Sequence, residues 1–256
     1  MTSPIVLECR GISQSFAGIQ ALSDINLPIH QGQFHAIIGP NGAGKTTLFN
    51  ILSGLQSPTA GGVFFAGLDI TALPPWQRAR LGIARSFQNL RLFGAMTLRE
   101  NILVAAQQQQ PYRLGDVFFK RAAVRAAEEA LTESADLWLR LVGLYRQRDD
   151  QAMTLSYGAA RRLELARALA LQPRLLLLDE PAAGLNPAET DGLAEIMAHL
   201  RNDALTVVLV EHDMGLVMKL ADRITVLNLG KELATDDPAR IRVNPQVIDA
   251  YLGVSR

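Results

Sequence analysis

Apolar and polar positions follow two rhythms along this chain. From residue 5 the apolar positions come in short runs, Ile5 to Cys9, Ile25 to Ile29 and Phe34 to Ile38, with turn signals at Gly11, Gly18 and Gln31-Gly32. Runs of that length predict short strands and a β-rich start. A helical pattern over Thr46 to Leu55 follows, and Gly61 to Gly67 reads as another strand between glycine turns. From about Leu90 to Met153 the character becomes helical. Thr97 is placed to cap a helix carrying Glu100, Ile102, Leu103 and Ala106, and the polar stretch Gln107 to Pro111 reads as a solvated turn. Ala123, Ala126, Ala127, Ala130 and Leu131 then mark one face of an amphipathic helix. Beyond Ala160 helices and β-branched runs alternate: helix to about Leu171, strand Leu175 to Leu178, helix Glu189 to Leu200, strand Thr206 to Val210, helix Met214 to Leu220, strand Ile224 to Leu227. Such alternation predicts right-handed crossovers and a parallel sheet.

Composition narrows the classes. The chain has 256 residues, 48% of them hydrophobic, enough for a sizeable core of one large or two interlocked domains. Lys+Arg and Asp+Glu are both 25, so no global basic field points to nucleic acid or anionic lipid. The lone Cys9 excludes an intramolecular disulfide framework and fits a reducing compartment. Met1 to Cys9 has neither the basic nor the long apolar stretch of a signal peptide. The longest apolar run, Ala166 to Leu178, is broken by Gln172-Pro173-Arg174, short of the ~20 residues that span a bilayer.

Two segments carry chemistry. Gly39-Pro40-Asn41-Gly42-Ala43-Gly44-Lys45-Thr46, followed by Thr47, fits the phosphate-loop pattern between an apolar strand and a helix. Its glycines let backbone N–H groups turn toward phosphates, Lys45 reaches the outer phosphates and Thr46 offers a hydroxyl to Mg²⁺. Read as an ordinary glycine turn, the loop would leave Lys45 and Thr46 idle. Asp179 and Glu180 end a run of four leucines, which puts two acids at the C-terminal edge of a parallel sheet. One acid can orient Mg²⁺ and the next can polarise water, although a strand-end Asp also serves as a turn cap.

With these, Leu155-Ser156-Tyr157-Gly158 makes the chain resemble the ABC ATPases over nearly its whole length, matching their signature segment. The resemblance implies an α/β fold: a phosphate-loop ATPase with a RecA-like parallel-sheet core, an N-terminal antiparallel β subdomain and a helical insert. It places the nucleotide-binding core at residues 1–89 and 161–256 and the helical signature subdomain at 90–160. It implies ATP and Mg²⁺, with Glu180 as general base and Thr46, Asp179 and Gln88 toward the metal. His212 becomes the switch histidine, and Phe16 the aromatic that stacks on adenine. Ser156 and Gly158, at a helix start, would donate to the γ-phosphate of a nucleotide held by a partner subunit. Taken singly, Ser156 also reads as a helix cap, Gln88 as a surface polar residue, His212 as a structural imidazole and Phe16 as a core aromatic.

The segments Arg161 to Glu164, Asp179 to Pro187, Glu211 to Met214 and Asn244 to Gly253 resemble the larger ATPase subunit of branched-chain amino acid importers. That implies a second ABC ATPase subunit as hetero- or homodimer partner, two membrane permeases and an extracytoplasmic substrate-binding protein, with no nucleic acid. It places the chain on the cytoplasmic face of the inner or plasma membrane, held through the permeases. Urea or amide importers, the lipopolysaccharide exporter and soluble non-transport ABC ATPases share parts of the pattern. Two departures stand out: Ala159-Ala160 replaces a Gln pair and Gly184 to Pro187 replaces Ser-Ala-Leu-Asp; Phe118 and Phe119, in the extra Gln107 to Lys120 stretch of the insert, read as a pair packing its own helix, with a partner contact as the alternative. The alanines are expected to withdraw amide groups from the nucleotide face.

Overall fold

A computed structural model describes residues 3–86, 91–107, 121–201 and 204–252, without the side chains of 121–124 and 252. The chain divides into two compact units, residues 1–85, 174–183 and 197–256, and residues 86–173 and 184–196.

The first unit contains two sheets. Strands β1 (Ile5–Phe16), β2 (Ile19–His30), β4 (Ala60–Phe65) and β5 (Leu68–Asp69) form an antiparallel sheet in the order β2-β1-β4-β5. The short strands expected here are two 12-residue strands. Gly11 does not end β1. It sits inside the strand at φ +61°, where the pairing register slips between Cys9 and Ile12, so the glycine signal marks a bulge instead of a turn. The other sheet runs β10-β9-β3-β8-β7-β6. It is built from β3 (Phe34–Ile38), β6 (Ile83–Arg85), β7 (Leu175–Asp179), β8 (Thr206–Val210), β9 (Arg223–Asn228) and β10 (Lys231–Asp236). Strand β3 pairs parallel with both β8 and β9, and only β10 is antiparallel to its neighbour. All residues of β3, β7 and β8 are buried, as continuous apolar runs in a parallel sheet require.

Helix α1 (Lys45–Ser53) follows β3 after the loop 39–44 and ends at Gly54, which takes the left-handed φ of +78°. Its last carbonyls are met by an unexpected group. Arg78, on α2 (Pro75–Arg80), is buried and donates to Ile51 O (2.7 Å), Leu52 O (2.8 Å), Ile70 O (2.7 Å), Leu73 O (2.9 Å) and Thr71 O (3.1 Å). Five carbonyl acceptors replace the water a buried guanidinium has lost, and burial still pushes its pKa down to about 10.

The second unit is helical. Thr97 caps α3 (Leu98–Ala106) as expected, within a reciprocal box to Glu100. The amphipathic helix is α4 (Arg121–Leu141), and α5 (Tyr157–Leu169) follows the signature. Leu98 and Ile102 of α3, Ala135 and Leu139 of α4, and Leu163 and Ala166 of α5 share one apolar core. Thus α5 clusters with the helical unit along its length. Helix α6 (Pro187–His199) begins in this unit. Phe118, Phe119 and the Gln108 to Lys120 stretch lie outside the described residues. Helices α7 (Met214–Leu220), α8 (Pro238–Val243) and α9 (Pro245–Leu252) complete the first unit, the last two unannounced by any periodic run.

Candidate active site

Parallel strands β3, β7 and β8 end level with one another, since Ile37 and Asp179 both pair with Val210. Whatever follows those strands is therefore delivered to one edge. After β3 comes the glycine loop, after β7 the acid pair, after β8 Glu211 and His212.

The loop's conformation is set by its neighbours. Gly39 has φ +151°, and a Cβ there would lie 2.1 Å from Leu227 O. At Gly44, φ +99°, a Cβ would meet Leu22 Cδ2 at 2.7 Å and Ala21 O at 2.8 Å. Both contacts are too close for any side chain, so backbone lies where side chains would otherwise stand. Gly230 N–H donates to Ala43 O (3.1 Å), and Gly39 N–H to the Tyr251 hydroxyl on α9. Helix α1 then starts without a side-chain cap and without an acid in its first turn. No carboxylate of the helix's own first turn therefore competes for its N-terminal N–H groups and dipole, which favour an anion. Lys45 is buried, its Nζ donating to Gly39 O (2.7 Å) and Pro40 O (3.0 Å), and burial lowers its pKa against the opposing pull of Glu180. Thr46 is exposed in the first turn and Thr47 half-buried beside it; Asn41 and Gly42 are exposed, Ala43 buried.

Of the acids, Asp179 is buried and Glu180 partly open. Asp179 Oδ2 receives Arg85 Nη2 at 2.9 Å. Glu180 takes φ +47°, a left-handed conformation uncommon for a residue with a Cβ. Two backbone bonds hold it there, Glu180 N–H to Val210 O (2.9 Å) and Ala183 N–H to Glu180 O (3.0 Å). Its Oε1 lies 3.8 Å from Nδ1 of His212, an exposed imidazole. Glu211, named in a resembling segment but given no role of its own, is fully buried and ties this edge together. It accepts Ala182 N–H (2.8 Å), His212 N–H (3.1 Å) and Asp213 N–H (3.3 Å), so one carboxylate sets the backbone after both Glu180 and His212. Burial raises its pKa, with those donors opposing.

Phe16 ends β1 half-exposed, at 48%, so the core-aromatic alternative is excluded and its face is open for stacking. Gln88 lies outside the described residues.

Ser156 and Gly158 belong to the helical unit. Ser156 is the N-cap of α5, its Oγ accepting Ala159 N–H at 3.3 Å, which leaves the hydroxyl proton able to donate elsewhere. Gly158 is buried, and a Cβ on it would stand 2.3 Å from Glu189 Oε1. That carboxylate is itself fixed, since Glu189 Oε2 accepts Asn186 N–H (3.0 Å) and Asn186 Oδ1 accepts Glu189 N–H (3.0 Å). Asn186 is thus the cap of α6, a role that the commoner Asp would fill equally well. Tyr157 packs close to Gly184, where a Cβ would be 3.0 Å from its ring, and its hydroxyl accepts from Arg161 (2.8 Å and 3.1 Å).

Ala159 and Ala160 are each only 7% exposed, and Ala159 belongs to the helical core. They point inward, so the missing amides are not withdrawn from an open face. Ala159→Gln is expected to cost about 1–3 kcal/mol by overpacking and burying an amide. A urea unfolding midpoint equal to that of the parent would refute this.

The residues fit a nucleotide and its metal. The loop offers a glycine cradle that a Cβ would fill, a lysine and a helix N-terminus. Among the described residues no group of three or more His, Cys, Asp or Glu is placed to hold a metal. Thr46 and Asp179 suit a cation that takes its remaining ligands from phosphate and water, as Mg²⁺ does.

A parallel sheet that brings a glycine loop with its lysine to the same edge as an acid pair and a histidine defines a phosphate-loop nucleotide-binding cassette. Comparison with known proteins makes the class specific. The ABC transporter family matches residues 22–183, and a branched-chain amino acid ATP-binding cassette transporter family matches residues 231–256. The high-affinity branched-chain amino acid transport ATP-binding protein LivG of Escherichia coli K12 is 46% identical over 254 residues, covering 99% of both chains. BraF of Pseudomonas aeruginosa, of the same description, is 47% identical with the same coverage. An ADP-bound ATP-binding cassette of an ABC transporter superposes with TM-score 0.84 at 28% identity, covering 98% of this chain and 100% of that one. A nucleotide-free cassette gives 0.83 at 28% identity, covering 97% and 99%. The chain belongs to the ABC transporter family and is one of its ATP-hydrolysing cassettes.

Proposed function

We propose that this chain is the nucleotide-binding subunit of an importer for branched-chain amino acids, working with a second ABC ATPase subunit, two permeases and an extracytoplasmic binding protein. It sits at the cytoplasmic face of the membrane through the permeases; among the described residues no helix is long and apolar enough to cross a bilayer. The observation that carries the substrate class is the likeness to LivG and BraF, which runs through 99% of the chain and includes the C-terminal segment 231–256.

The chemistry is in-line attack of water on the γ-phosphate of ATP, which needs positioning and charge neutralisation more than covalent catalysis. Lys45 exchanges its two loop carbonyls for phosphate oxygens. Glu180 accepts the proton of the attacking water, with His212 beside it to orient the same group. Thr46, Asp179 and Gln88 would hold Mg²⁺, which would supply neutralisation of phosphate charge. Phe16 stacks on adenine. Ser156 and Gly158 serve the nucleotide of the partner subunit. The signature groups thus come from the helical unit and Phe16, Lys45, Thr46, Asp179, Glu180 and His212 from the two-sheet unit.

Affinity capture of the tagged chain from detergent-solubilised membranes tests the assignment. Polytopic permeases and a second cassette should co-purify, with ATP turnover of the complex raised by leucine-loaded binding protein. Recovery of only soluble or nucleic-acid partners would overturn it.

A further inference from the structure

Arg85 stands between the two elements that supply the metal donors of the proposed site. Thr46 is carried by α1 and Asp179 by β7, with no covalent reason for their groups to keep a fixed register. The Arg85 side chain, reaching from β6, spans them. Its Nη1 donates to Asn50 Oδ1 (2.9 Å) and Ser53 Oγ (2.6 Å) at the end of α1, while Nη2 donates to Asp179 Oδ2 (2.9 Å). The guanidinium also lies over the Phe49 ring of α1, 4.7 Å from its centroid. The ion pair is largely excluded from water, the two side chains being 12% and 6% exposed. A planar fork engaged at both ends has little freedom, so the carboxylate it holds has little either.

We propose that Arg85 is a positioning residue for the metal. It clamps the Asp179 carboxylate to the phosphate-loop helix, so that α1 and β7 present their donors together. The inference rests on the reading of Asp179 as a metal-holding acid and adds a residue that no motif marks. Groups that orient a metal ligand from behind influence metal affinity about 10–100-fold. Removing the fork therefore weakens the metal's contribution to nucleotide binding while leaving the loop's own grip on phosphate in place.

The test is the affinity of the full chain for a fluorescent ATP analogue, titrated in excess Mg²⁺ and again in EDTA, for wild type, Asp179→Asn, Arg85→Met, Arg85→Lys and Ser53→Ala. The readout is the gain in affinity that Mg²⁺ confers. Arg85→Met should lower that gain about tenfold with the EDTA affinity unchanged. Arg85→Lys, which keeps the charge but loses the fork, should fall between it and wild type. In an Asp179→Asn background Arg85→Met should reduce the gain no further. If Asp179→Asn leaves the gain at the wild-type value, the metal role of Asp179 fails. If Asp179→Asn lowers it and Arg85→Met does not, the positioning role alone fails. Should Arg85→Met not fold, Ser53→Ala, which removes one anchor, must still reduce the gain, and an unchanged gain there overturns the inference.

Discussion

Glu180→Gln is expected to bind ATP as tightly as the parent and to turn it over at least about a hundredfold more slowly, the usual scale of general-base catalysis. The substitution keeps the side chain's shape and most of its contacts, so the left-handed backbone held by Val210 O and Ala183 N–H persists. What it removes is the group that takes a proton. No other described carboxylate can stand in: Asp179 is engaged by Arg85, and Glu211 is buried under three backbone donors. Nucleotide titration and phosphate release, measured on the same preparation, separate binding from chemistry. Turnover near the parent's would remove Glu180 as the base.

Lys45→Met should instead weaken binding itself. In the parent the ammonium leaves bonds to Gly39 O and Pro40 O for phosphate oxygens, so only part of each new charge-assisted bond is net gain. Two such bonds at about 1–1.5 kcal/mol each give about 2–3 kcal/mol, a loss of about thirtyfold to about 150-fold in affinity. The rise in melting temperature that ATP confers should shrink accordingly, while the melting temperature without ATP changes little. An undiminished shift would show that the loop's N–H groups alone hold the phosphates.

The chain's pattern announced these sites unevenly. Strands β3, β7 and β8 were legible because both faces are buried and their apolar runs are continuous; α3 and the amphipathic helix were legible from capping and period. The bulge at Gly11 was misread as a turn, because a glycine in the left-handed region serves either purpose and only the partner strand decides. Helices α8 and α9 escaped because each is short and its apolar positions too few to set a period. At the candidate site, Lys45, Asp179 and Glu180 are marked by motif and His212 by the family resemblance, and the level ends of three parallel strands explain why they lie at one edge. Arg78 and Arg85 are marked by neither, and Glu211 lies in a resembling segment without a role. Their partners are mostly backbone atoms, or side chains brought in from other elements, which no residue spacing encodes; Arg85 and Glu211 leave one hint, a charge at the end of an apolar run, and Arg78, between Gln77 and Arg80, leaves none.

The phosphate-loop glycines bear on how such genes decay. Gly39 and Gly44 are required by Leu227 O and Ala21 O whether or not a nucleotide ever arrives. Drift in a descendant that had lost its catalytic task would therefore still be held at those glycines by folding alone, while Lys45, Glu180 and His212 would be released. A surviving glycine loop in a relative thus testifies to the fold; the fate of the lysine, the acid and the histidine testifies to the work.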